Sequence, residues 1–167
     1  MIGALLLATA TIASTPDLGK AEGQCRADER GPAYLVDVTG LKDRAGRLKL
    51  ELYPANDADF LADDNQLVAA GKPFARVDVP VPESGPVHLC IRAPAPGTYA
   101  LSLLHDRDAN RRFALSIDGV GFAANPRLGL AKPRAAAASA AVGVGPTRIG
   151  IIVNYRRGLL SFGPGGK

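Results

Sequence analysis

The stretch Arg47-Leu48-Lys49-Leu50-Glu51-Leu52-Tyr53 decides the fold. Leu48, Leu50 and Leu52 fall on one side of an extended chain, and Arg47, Lys49 and Glu51 on the other. That period-two alternation marks a strand with one buried face; on a helix both sets would scatter around the circumference. The same alternation recurs in residues 33–38 (Tyr34, Val36, Val38), 75–81 (Val77, Val79, Val81), 87–91 (Val87, Leu89, Ile91), 98–104 (Tyr99, Leu101, Leu103), 112–117 (Phe113, Leu115, Ile117) and 147–155 (Ile149, Ile151, Val153). Turn-forming runs separate several of them, at Lys42 to Gly46, Pro82 to Pro86 and Pro94 to Gly97. About seven short strands with one apolar face each predict an all-β chain folded as an antiparallel two-sheet sandwich.

The bulk composition agrees. A length of 167 residues suits one domain, and 19 Gly and 13 Pro suit many turns rather than a helical bundle. The net charge of +4 is not gathered into a basic stripe interleaved with aromatics, which argues against a nucleic-acid partner. Three stretches lack strand alternation. Residues 54–72 are acidic and then apolar, the pattern of a short helix or an ordered crossover. Residues 121–146 are rich in Gly, Ala and Pro, which suits a turn of helix or a mobile loop. Residues 156–167 end in Gly-Pro-Gly-Gly-Lys and are expected to be a flexible C-terminal tail.

Residues 1–13, MIGALLLATATIA, are uncharged and too short to span a bilayer. They match the apolar core of a secretory signal peptide, with small residues at Ala8, Ala10 and Ala13 and cleavage expected after Ala10 or Ala13. The usual basic n-region is missing, since only the Met1 amine is positive; a buried first strand or helix is the competing reading. The layout is then a signal peptide (1–13), an N-terminal extension (14–32), a β-sandwich domain (33–155) and the tail. A periplasmic or secreted location is expected, with no integral membrane segment once the signal is removed. In that oxidising setting Cys25 and Cys90 predict one disulfide, closing a loop of about 65 residues worth about 4 kcal/mol in the chain-entropy model. Two separate thiols remain the alternative. Their spacing excludes a CxxC redox or zinc site.

One polar run stands out: Pro96-Gly97-Thr98-Tyr99-Ala100, leading through Leu101, Ser102, Leu103 and Leu104 into His105-Asp106-Arg107-Asp108-Ala109-Asn110. With Gly119, Gly121-Phe122, Asn125 and a closing strand ending at Tyr155, it resembles the domain-of-unknown-function 2141 family of exported bacterial proteins over roughly residues 33–155. The resemblance implies a small β-sandwich in the style of immunoglobulin-like or transthyretin-like modules and brings no established activity. This chain departs from the family pattern in the polar loop. Asp108 stands where Asn is common, Arg111 where the motif has Gly, and Ala114 where an Asp often follows.

Asp106, Asp108 and Asn110 at i, i+2 and i+4 carry oxygen ligands at calcium-loop spacing, and Asp118 offers a fourth. The rest of that pattern is absent, since position six is Arg111 rather than Gly and position twelve is Ile117 rather than Glu. Arg107, Arg111 and Arg112 place positive charge alongside. The favoured reading is a hairpin loop whose Asp and Asn side chains cap their own backbone, with no cofactor; calcium is the cofactor of the alternative. His105 beside Asp106 invites a hydrolase-type general-base reading, but neighbours on a strand point to opposite faces, so a structural His bonding a loop carbonyl is favoured. His88 and Cys90 alone are too few ligands for a soft metal. Tyr155-Arg156-Arg157-Gly158 faintly resembles the C-terminal motif of hydroxyisourate hydrolases, without its terminal position, its Ser or its partner histidines. The sequence therefore predicts an exported, non-catalytic module, binding or structural, whose partner is an unidentified envelope component or protein. A charged sheet face is its expected contact surface.

Overall fold

The computed structural model describes residues 16–166, so the stretch read as a signal peptide lies outside the described residues. Among those described, ten strands form in chain order: β1 (Ala33–Thr39), β2 (Arg47–Pro54), β3 (Ala75–Pro80), β4 (Val87–Arg92), β5 (Gly97–Asp106), β6 (Gly119–Phe122), β7 (Ser139–Val142), β8 (Pro146–Ile152), β9 (Asn154–Arg156) and β10 (Phe162–Pro164). Two short helices, α1 (Lys20–Gly23) and α2 (Asp64–Ala69), and a 3-10 turn at Ala135–Ala138 complete the chain. The small sheet runs β4-β1-β8; the large one runs β10-β9-β6-β5-β2-β3, with β7 also on β5. This is the expected all-β two-sheet sandwich. Its pairings are antiparallel except for β1 with β8, which run parallel from Ala33 opposite Pro146 to Thr39 opposite Ile152.

The core between the sheets is the one the alternation predicts. Leu48, Leu50 and Leu52 of β2 and Leu101 and Leu103 of β5 meet Tyr34, Val36 and Val38 of β1 and Val87, Leu89 and Ile91 of β4. The Cys25–Cys90 disulfide is formed, with its α-carbons 6.0 Å apart, and ties the segment before β1 to the small sheet.

The outer face of the large sheet departs from the expectation of a solvated charged surface. The 54–72 crossover lies over part of it and carries α2, capped by Asp63, whose carboxylate accepts the N–H groups of Asn65 and Gln66. Phe60 and Leu67 from this crossover, and Phe74 just after it, join Tyr53, Ala100, Phe122, Ala135 and Ala138 in a second apolar cluster. Tyr53 meets Phe60 and Phe74 edge-on at 5.8 and 5.4 Å. Glu51, read as solvent-facing, is thereby buried. It survives there because the register sets it opposite Arg76 of β3.

Three further readings are corrected. Residues 112–117 are not a strand: Ile117 and Asp118 donate their N–H groups back to the Ala114 carbonyl, and the next strand to pair with β5, β6, begins only at Gly119. The apolar alternation there is real, but Phe113, Leu115 and Ile117 remain substantially exposed. The 147–155 strand is two strands, because the chain leaves the small sheet at Ile152 and joins the large one at Asn154. The tail does not simply fray: Phe162–Pro164 pairs with β9.

Candidate functional site

Strand β5 delivers His105 and Asp106 to opposite faces of the large sheet. His105 lies opposite Leu48 on the inner face and is fully buried. Its Nε2 is 2.7 Å from the Ala45 carbonyl oxygen and its Nδ1 is 2.5 Å from the Tyr155 hydroxyl. A carbonyl only accepts, so Nε2 carries the proton and Nδ1 accepts from Tyr155. The Tyr155 oxygen in turn accepts the Lys42 N–H at 3.1 Å. Two glycines make this packing possible. Gly46, at φ 72, presses on the Asp106 carbonyl, and Gly119 abuts the Tyr155 ring, so a Cβ at either would clash. With both ring nitrogens engaged inside the protein, His105 braces the 42–46 turn and has no face toward a substrate.

Burial holds the His105 imidazole below its ordinary value of 6.5 and pushes the Tyr155 hydroxyl up to about 12. Asp43, 3.8 Å from His105 Nε2, opposes the depression, and Arg107 reinforces it. The unfolded chain takes up a proton below pH 6.5 that the folded one resists. His105 therefore contributes stability above pH 6.5 that is lost as pH falls through 6.5 toward the folded value. In urea melts across pH, His105→Gln is expected to flatten the loss that begins just below pH 6.5. Equal slopes in the two proteins would overturn this assignment.

Asp106 faces the other way, into a loop built from its own acids. Its two carboxylate oxygens accept the N–H groups of Asn110 and Arg111 at 3.2 and 2.7 Å. Those of Asp118 accept from Arg107 and Ala114 at 3.0 and 2.7 Å. Those of Asp108 accept from the Asn110 backbone and side-chain amides at 3.2 and 2.8 Å. Arg107 locks the loop to the preceding turn through two contacts with Asp43, at 2.8 and 2.5 Å. These are self-capping bonds, as the favoured reading of the sequence has it.

The structure does bring carboxylate oxygens of Asp106, Asp108 and Asp118 within 4.8 Å of one another. Asn110 does not join them as an oxygen donor, since its Oδ1 accepts the Arg112 N–H at 2.7 Å. Burial foremost, with Asp108 and Asp118 adding to it, holds the Asp106 carboxyl above the usual range. A cation here would share oxygens that already accept six hydrogen bonds from five N–H donors. Arg111 itself adopts φ 66 where the resembled motif has Gly, so the loop keeps a left-handed corner at a cost of about 1 kcal/mol.

The cavity lies beside this loop, on the uncovered part of the large sheet's outer face. Registers set Lys49, Leu104, Val120 and Asn154 in one row across β2, β5, β6 and β9, with Arg156 and Phe162 beyond. Phe113 and Leu115 from the acidic loop and Leu61, Leu128 and Leu130 from the covering segments wall a groove of about 500 Å³. That volume lies within the roughly 300–1,000 Å³ typical of small-molecule sites. Leu61 sits at φ 61, a strained conformation for a leucine, and Leu130 and Leu159 are 78% and 79% exposed at the margin. Lys49, Lys132 and Arg156 line it, against the single carboxylate of Glu51.

The sequence did not point to this groove. The clue was available in leucines stranded in Gly- and Pro-rich segments that no strand alternation accounts for.

A model of the bacterial family described as "uncharacterized protein conserved in bacteria (DUF2141)" matches residues 36–150. The match takes in the acidic loop and most of the groove and stops before Arg156, Leu159 and Phe162. No curated protein and no solved structure matches the chain.

Proposed function

We propose that this chain, which belongs to the domain-of-unknown-function 2141 family of bacterial proteins, is an exported, non-catalytic binding module that works through the groove on its large sheet. The observation that carries the reading is the groove itself: a concave, mostly apolar trough of about 500 Å³ with leucines exposed at its margin. Solvent-exposed apolar surface costs free energy unless something covers it, and its concentration in one concavity marks a binding surface. The non-catalytic half is supported by His105, whose ring nitrogens are both spent on the fold. Export is supported by the apolar stretch at residues 1–13 and by the disulfide, which belongs to oxidising compartments.

Nile red, an uncharged dye that brightens and shifts to the blue in apolar surroundings, tests the groove. The protein is expected to bind it, and Phe113→Ser with Leu115→Ser is expected to weaken binding about tenfold, the loss of roughly 1.4 kcal/mol of apolar contact. Both residues lie in the loop outside the sandwich core, so the double variant is expected to melt normally. Unchanged dye affinity would overturn the groove as the site. For export, the periplasmic chain is expected to begin at Thr11 or Ser14; a cytosolic chain retaining Met1 would overturn that half.

A further inference from the structure

We infer that the groove takes a free single-chain amphiphile with an anionic head, a long-chain carboxylate, an inference that rests on the groove being the binding site. The floor is apolar along the row from Leu104 to Val120, with Phe122 beside it, and this part of the trough has no carboxylate of its own. Cations stand at its borders. Lys49 projects from β2 and Arg156 from β9, which the strand order sets three strands apart, about 14 Å at the usual strand spacing. Lys132 enters from the covering segment and donates to the Phe60 carbonyl at 2.7 Å.

The one acid in the lining, Glu51, is already matched. It accepts from the Tyr53 hydroxyl at 2.8 Å and from Arg76 Nε at 2.8 Å, and its Oε1 lies 3.5 Å from Lys49 Nζ, so Lys49 is paired as well. A ligand therefore meets apolar surface along its length and, at Lys132 and Arg156, positive charge that no carboxylate of the lining offsets, which selects an apolar body carrying negative charge. Separated cations suit one small monoanionic head, whereas a phosphate cradle gathers several donors around one point. The trough is concave and sized for one ligand, which favours a free molecule over a bilayer surface.

The test displaces cis-parinaric acid, a fluorescent long-chain carboxylate, from the full protein with dodecanoate, dodecanol or dodecyltrimethylammonium, at equal ionic strength. Dodecanoate is expected to compete at least tenfold better than dodecanol, and the cationic amphiphile least well. Lys132→Gln with Arg156→Gln is expected to lower the affinity for dodecanoate about tenfold and that for Nile red less than twofold. Equal competition by dodecanol and dodecanoate, with Nile red binding still sensitive to Phe113→Ser and Leu115→Ser, would overturn the anionic head and leave the groove reading standing. Sedimentation with phosphatidylglycerol vesicles without displacement by dodecanoate would overturn the free ligand. Failure to bind either probe would overturn both the head and the groove.

Discussion

Arg76→Met is expected to lower the unfolding free energy by about 3–5 kcal/mol, seen as a large fall in the urea midpoint at unchanged slope. Arg76, Glu51 and Asp64 are only 6%, 5% and 5% exposed, so their charges are held in the interior. The guanidinium reaches Glu51 at 2.7 Å and Asp64 at 2.7 Å, lies over the Phe74 ring at 5.1 Å and reaches the Pro16 carbonyl at 3.4 Å. Burial alone would push its pKa down; Glu51 and Asp64 outweigh that and hold it above its ordinary value. Methionine preserves much of the side-chain length but leaves two buried carboxylates without the guanidinium. Adding Glu51→Gln and Asp64→Asn to Arg76→Met is expected to recover part of the loss, because the stranded charges then disappear. A loss below about 1 kcal/mol for Arg76→Met alone would mean that water reaches the cluster and screens it.

Removing the disulfide is the second large effect. Cys25→Ser with Cys90→Ser is expected to cost about 4 kcal/mol, from the 65-residue separation of the bonded cysteines and the chain-entropy relation. Dithiothreitol acting on the unsubstituted protein is expected to cost the same. The bond holds the stretch carrying α1 against the sheets, where the Arg76 N–H also donates to the Gly19 carbonyl at 2.9 Å. A loss below about 1 kcal/mol would show that these other contacts hold the segment unaided. A full loss makes the chain's stability depend on an oxidising compartment, as the export proposal requires.

The parts of the fold legible in the sequence are those set by local alternation. Leu48, Leu50 and Leu52 are buried because side chains on a strand alternate, whatever the strand pairs with. His105 and Asp106 point to opposite faces for the same reason, and Asp108 and Asn110 cap a loop because short polar side chains reach their own backbone. The sequence misled where identical alternation serves a different end. Phe113, Leu115 and Ile117 read as a strand, yet the hydrogen bonds of Asp106 and Asp118 hold that segment in turns, and two of its apolar side chains line the groove.

By itself the sequence determined the all-β class, the apolar faces of the main strands, the disulfide partners and the family. Each rests on a period of two, on a pair of cysteines or on a run of neighbouring residues. Only the tertiary structure decided that β8 runs parallel to β1, that Glu51 is buried with Arg76, and that an apolar groove opens between Lys49 and Arg156. Those features depend on which distant segments cover which face of the large sheet. Coverage joins residues such as Leu61, Phe113 and Leu130, far apart in the chain, and no local pattern encodes that meeting.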